Sequence, residues 1–111
     1  MFSRSVIENA NAAATLLALL GNEKRLMIVS HLLEGEMSVG AIAEKVELSQ
    51  SALSQHLAKL RGIELVETRR DRQTIYYSCK SDAVKQLVRT LNEIFGENRQ
   101  VADRPKEAIA L

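Results

Sequence analysis

Residues 38–61 read SVGAIAEKVELSQSALSQHLAKLR, and this stretch decides the fold. It predicts two short helices joined by a tight turn. Ser38 and Ser49 are N-cap residues, and each follows an apolar residue, Met37 and Leu48, placed to pack against Ile42 and Leu53 four positions into the helix. Two such hydrophobic staples fix both entry angles of the pair. In the second helix Leu53, Leu57 and Leu60 recur at helical spacing and point inward. At 100° per residue, Gln50, Ser51, Ser54, Gln55 and Ala58 share the opposite face. An ordinary solvated face holds more Glu and Lys, whereas no acid occurs between Gln50 and Arg61.

That face suits the edges of DNA bases. A helix can enter the major groove, where glutamine pairs bidentately with adenine, serine serves a base or a phosphate, and an alanine methyl meets that of thymine. Gln50, Ser51, Ser54 and Gln55 are the candidate base readers. Ser49 and the open amides at the helix start suit a phosphate, and Lys59 and Arg61 lie further along, better placed for the backbone. Ser38 at the start of the partner helix is a further backbone candidate. His56 falls on the edge of the leucine face, where a histidine hydrogen-bonded within the domain is expected.

Past Gly62 the pattern changes to period two. Residues 65–69 and 74–78 read as strands around a polar turn at 70–73, a β-hairpin with a charged tip. As a wing it offers Arg69, Arg70, Arg72 and Gln73 to phosphates or to a narrow minor groove; the same charges blunt the sheet edge against pairing with other chains. Upstream, residues 5–20 form an alanine- and leucine-rich helix, and Gly21-Asn22 ends it and caps a second with Leu26, Val29, Leu32 and Leu33 inward. Downstream, Ser81-Asp82 caps a last helix with the stripe Val84, Leu87, Val88, Leu91, Ile94 and Phe95, closed by Gly96. The fold class is mainly α with a small β-hairpin: a winged helix-turn-helix in the order α-α-α-α-β-β-α. Residues 1–96 form the domain and 97–111 a flexible tail. The terminal helices carry broader apolar stripes than one small core needs, so a homodimer is expected to bury Ile7, Ala10, Ala14, Leu17, Leu87, Leu91, Ile94 and Phe95.

Composition narrows the classes. The 111 residues carry 46% hydrophobic and 26% charged residues and a net charge of +1, ordinary values for a globular protein. Residues 1–48 hold four Lys/Arg against six Asp/Glu, but 49–73 hold five against three, so the basic excess accompanies the polar helix face. No apolar run approaches the roughly 18 residues of a membrane span, and residues 1–14 lack a signal-peptide core, so a cytoplasmic protein without a membrane partner is expected. The lone Cys79 forms no internal disulfide and reads as a small buried apolar residue. One cysteine and two histidines, widely separated, make no metal cluster, and Asp82 with Glu93 lacks a histidine to complete a site. Neither a glycine-rich phosphate loop nor a nucleophile with its base is present, so no catalysis, cofactor or metal is expected.

Three motifs in order carry a resemblance over about residues 12–95: NEKRL at 22–26, LSQSALSQHLAKLR at 48–61 and RRDRQTIYYS at 69–78. With them the chain resembles the ArsR/SmtB group of bacterial winged-helix repressors, and in particular a branch of rhizobial nodulation regulators. The resemblance implies a homodimer held by the first and last helices that binds double-stranded DNA at a palindromic operator and represses. It implies base reading by Gln50, Ser51, Ser54 and Gln55, with Ser49, His56, Lys59 and the wing arginines as phosphate or supporting contacts. Metal-sensing members bind metal through cysteines on the third helix or Asp/His/Glu on the last; here the third helix reads SVGAIAEKV and the last lacks histidine. Persulfide sensing takes a cysteine pair, which the chain does not have. A ligand- or redox-responsive sensor of the same fold, and a dimeric protein-interaction module without DNA binding, are the alternatives.

Overall fold

The structure, a computed structural model, describes residues 1–96; the expected tail at 97–111 lies outside the described residues. In the first unit, Met1–Lys80, the order is α1 (Arg4–Glu8), α2 (Ala10–Leu20), α3 (Glu23–Glu34), β1 (Met37–Ser38), α4 (Val39–Val46), α5 (Gln50–Gly62), β2 (Glu67–Asp71) and β3 (Thr74–Ser78). The second unit begins at Ser81 and holds α6 (Asp82–Phe95). The expected first helix is therefore two. Asn9 turns the chain out of helical geometry at φ −103°, ψ 17°, and its Nδ2 donates to the Ser5 carbonyl at 2.8 Å, the side-chain competition that weakens asparagine inside helices. Helix numbering consequently runs one ahead of the expectation.

The caps are as expected. Asn22 Oδ1 accepts from the Arg25 amide at 3.1 Å, Ser38 Oγ from Ala41 at 3.3 Å, Ser49 Oγ from Ala52 at 3.1 Å and Ser81 Oγ from Val84 at 3.2 Å, each relieving an amide that the first turn leaves without a helical partner.

Gly21 and Gly96 are the C-caps of α2 and α6, as expected, but the end of α5 differs. Gly62 is the last residue of α5, not the residue that turns the chain. Leu65 N–H donates to the Leu60 carbonyl at 3.0 Å and Glu64 N–H to Arg61 at 2.9 Å, with Glu64 left-handed at φ 58°. The end of α4 repeats the pattern: Leu48 N–H reaches Ala43 at 3.0 Å, Glu47 N–H reaches Glu44 at 3.3 Å, and Glu47 has φ 56°. Both are Schellman ends with glutamate where glycine is usual. Between α4 and α5 they leave only residues 47–49, the tight turn of a helix-turn-helix.

The sheet has three strands in the order β1-β3-β2, all antiparallel. β1 was not expected; its two residues pair Met37 with Tyr77 and Ser38 with Tyr76, placing the start of α4 against the wing. The second strand of the hairpin is the expected 74–78, but the first is shifted from 65–69 to 67–71. Asp71 pairs with Thr74 and Arg70 with Ile75, so the loop is only Arg72-Gln73, with Arg72 at φ 59°. Leu65 and Val66 lie outside the strand and are both buried, at 9% and 5% exposure. A strand would turn one of them outward; as a connection, both enter the core.

The first unit's core gathers Ile28, Val29 and Leu32 of α3, Ile42, Ala43 and Val46 of α4, Leu53, Leu57 and Leu60 of α5, and Tyr77 and Cys79. Each large apolar side chain removed from water contributes about 1.5–3 kcal/mol. On α3, Ile28 takes the buried place expected of Leu26 and Leu33, which are half-buried, because α2, α4 and β3 all pack on this helix and widen its inward face. On α6, Val84 is buried, Leu87, Val88, Leu91 and Ile94 are half-buried, and Phe95 is exposed. Helix, tight turn, helix and hairpin together make a winged helix-turn-helix. Among the described residues no helix is long and apolar enough to cross a membrane.

Candidate nucleic-acid interface

With Leu53, Leu57 and Leu60 anchored in the core, α5 turns its other side to solvent. Gln50, Ser51, Ser54, Gln55, Ala58 and Lys59 are all exposed along it. Ser49 is exposed at its start with Oγ holding the Ala52 amide, so the helix N-terminus is both open and ordered. Arg61 is exposed in the last turn. No carboxylate sits on this helix, and its exposed groups are amides, hydroxyls and cations, the set that reads base edges and phosphates.

The wing tip comes beside the helix start. A cleft of about 350 Å³ is lined by Ser38, Val39 and Gly40 at the start of α4, Gln50 at the start of α5, and Gln73, Thr74 and Ile75 of the wing. Ser38, Gln50 and Gln73, separated in sequence, thus share one cleft. Arg70 and Arg72 are exposed and have no ion-pair partner among the described residues. Arg69 is engaged: Nε donates to Glu36 Oε2 at 2.8 Å and Nη2 to Oε1 at 2.6 Å, while its guanidinium lies 4.5 Å from the Tyr76 ring centre. The hydrogen bond from Arg69 is the main reason the Glu36 carboxyl titrates below its ordinary range. This fork fastens β2 to the residue preceding β1 and neutralises one of the three wing arginines. Period-two patterning gave no sign of it, because Glu36 lies outside the hairpin.

Two further residues position the helix pair without having been singled out. Lys24 Nζ donates to the Val46 carbonyl at 2.6 Å, capping α4 where the turn begins. Arg25 donates from Nη1 to the Leu19 carbonyl at 2.9 Å and from Nε to His56 Nδ1 at 3.2 Å. His56 is half-buried and hydrogen-bonded within the domain, as its place on the leucine edge suggested. Its pKa is lowered, first by burial and then by the nearby charges of Arg25 and Lys59. NEKRL at 22–26 was the available signal, but a motif does not say which carbonyl its cations reach.

The residues expected at a dimer interface lie in two places. On α1 and α2, Ile7, Ala10, Ala14 and Leu17 are exposed, Ile7 at 64% and Leu17 at 59%, beside an apolar groove lined by Val6, Ala12, Ala13 and Leu16. On α6, Phe95 is 49% exposed. Among the described residues no three His, Cys, Asp or Glu side chains gather where they could hold a metal ion.

Comparison with known proteins agrees with this architecture. Residues 22–68, from the cap of α3 into the wing, match the family described as bacterial regulatory protein, arsR family. The nodulation protein NolR of Rhizobium meliloti is 53% identical over 96 residues, spanning 86% of this chain and 79% of that protein. The transcriptional activator HlyU of Vibrio cholerae is 44% identical over 93 residues, 84% of this chain and 86% of that one. The crystal structure of the transcriptional repressor BigR from Xylella fastidiosa superposes with a TM-score of 0.80 at 40% identity, covering 86% of this chain and 97% of that one.

Proposed function

The chain belongs to the ArsR family of bacterial regulatory proteins, DNA-binding transcription regulators of the winged helix-turn-helix fold, and on that premise we propose that it is a homodimeric repressor of an inverted-repeat operator, working in the cytoplasm without a metal switch. α5 enters the major groove and reads bases through Gln50, Ser51, Ser54 and Gln55. Ser49, Lys59 and Arg61 hold phosphates alongside, with Ser38 and Gln73 at the cleft where the wing meets the helix pair. Arg70 and Arg72 supply the wing's charge, and Arg69 sets the wing's position through Glu36.

The observation that carries this reading is the exposed face of α5: free of acids, capped at its start, and fixed from behind by three buried leucines. The dimer rests on the uncovered apolar surface of α1–α2 and on the half-buried stripe of α6 with its exposed Phe95, which a second copy would remove from water. A twofold dimer presents two recognition helices one DNA turn apart, about 34 Å, and therefore an inverted repeat. The absence of a switch rests on helix α4, which carries no cysteine, and α6, which carries no histidine.

Selection of bound duplexes from a random pool, followed by titration of the recovered sequence, tests the proposal. The expected result is an inverted repeat bound more tightly than scrambled duplex, with affinity that falls as salt rises and is unchanged by zinc, nickel or cadmium. Recovery of no preferred sequence defeats it.

A further inference from the structure

Arg25 lies half-buried in the first turn of α3, and its side chain joins two other helices. Nη1 donates at 2.9 Å to the Leu19 carbonyl, at the C-terminal end of α2 where carbonyls lack helical partners. Nε donates at 3.2 Å to His56 Nδ1, at the middle of α5. His56 is flanked in sequence by Gln55, on the exposed face, and Leu57, in the core. A constraint on this imidazole is therefore a constraint on the rotation of the helix about its own axis.

We propose that Arg25 is a positioning residue for recognition: by tying the end of α2 to His56 it sets the angle at which α5 presents Gln50, Ser51, Ser54 and Gln55, and it does so only while the imidazole is neutral. The inference rests on the reading of α5 as the base-reading helix. A guanidinium is a donor at every nitrogen and stays charged at all working pH values. The bond needs a lone pair on Nδ1, hence a neutral ring with its proton on Nε2. Protonation removes the acceptor and sets two cations against each other.

The surroundings act in the same direction. Burial, Arg25 from α3 and Lys59 one turn along α5 all disfavour the imidazolium. α2 carries no ionisable side chain, and Glu44 and Lys45 of α4 are exposed and add nothing to the balance. The tie is thus intact at neutral pH and opens as the medium acidifies.

Added positive charge near DNA raises affinity for any sequence, so the informative quantity is the ratio of operator to scrambled-duplex affinity. Fluorescence anisotropy of the full chain at fixed ionic strength gives that ratio at about pH 8 and at the lowest pH at which circular dichroism still shows the fold, because this imidazole takes up its proton below the ordinary histidine value. The wild-type ratio is expected to fall by up to about fivefold, the worth of one net hydrogen bond. Arg25→Gln should show the lowered ratio already at the higher pH, with no further fall. His56→Gln keeps an acceptor that does not titrate, so its ratio should be the same at both. A wild-type ratio that does not change with pH, or an Arg25→Gln ratio equal to wild type, overturns the inference while leaving DNA reading intact. Failure to select any preferred duplex overturns both.

Discussion

Glu47 and Glu64 are left-handed, φ 56° and 58°, at the two Schellman ends that bracket α5. A side chain with a Cβ is disfavoured there and glycine is not, although glycine loses more entropy on folding. Glu47→Gly and Glu64→Gly should each stabilise the protein by about 1 kcal/mol or less, seen as a higher urea midpoint with unchanged slope. His56 acts on stability in another way. The unfolded chain takes up a proton near pH 6.5 that the folded chain refuses until a lower pH. Stability is therefore full above about pH 6.5 and declines as pH falls through the depressed folded value, and the His56→Gln variant should lose that component of the pH profile. At Glu36 the sign is the same but the range is more acidic: its folded pKa is lowered by Arg69, so the stabilisation present above the ordinary carboxylate value disappears as pH falls through the folded one, and Glu36→Gln should remove it.

At the scale of elements, the N-caps and the helical spacing of the apolar rows were legible in the sequence. Ser38, Ser49, Asn22 and Ser81 each cap the helix assigned to them, and the leucine row of α5 is buried as its spacing required. Leu53 has no exposure, so Leu53→Ala should cost about 2–5 kcal/mol in a denaturant titration. What was not legible depends in part on partners distant in sequence and in part on single residues that break a local pattern. A two-residue strand such as β1 has no periodicity of its own and exists because Tyr76 and Tyr77 supply its hydrogen bonds. The hairpin register depended on how tightly the loop closes, and Arg72 closes it in the left-handed region without a glycine to advertise it. The break at Asn9 arises from one amide competing for the Ser5 carbonyl inside an otherwise continuous apolar pattern. Of the candidate site, the exposed face of α5 was readable residue by residue. The Arg69–Glu36 fork and the Arg25–His56 tie were not, because each joins side chains more than thirty residues apart.

The whole molecule, in the proposed form, is two copies on one inverted repeat. The exposed Leu17 sits on the surface that the second copy would cover. Leu17→Glu should shift light-scattering mass toward the monomer and weaken operator binding with it, since one recognition helix alone holds one half-site. The central claim, that α5 reads bases while the wing holds phosphates, is tested most directly by titrating wild type, Gln55→Ala and Arg72→Ala against a panel of single-base operator variants at several salt concentrations. Gln55→Ala should lose discrimination of about 1–3 kcal/mol at particular base pairs and little elsewhere. Arg72→Ala should weaken every duplex alike and lower the salt slope by about 0.9 for each phosphate contact removed. Equal losses from Gln55→Ala across the whole panel would contradict base reading by this helix.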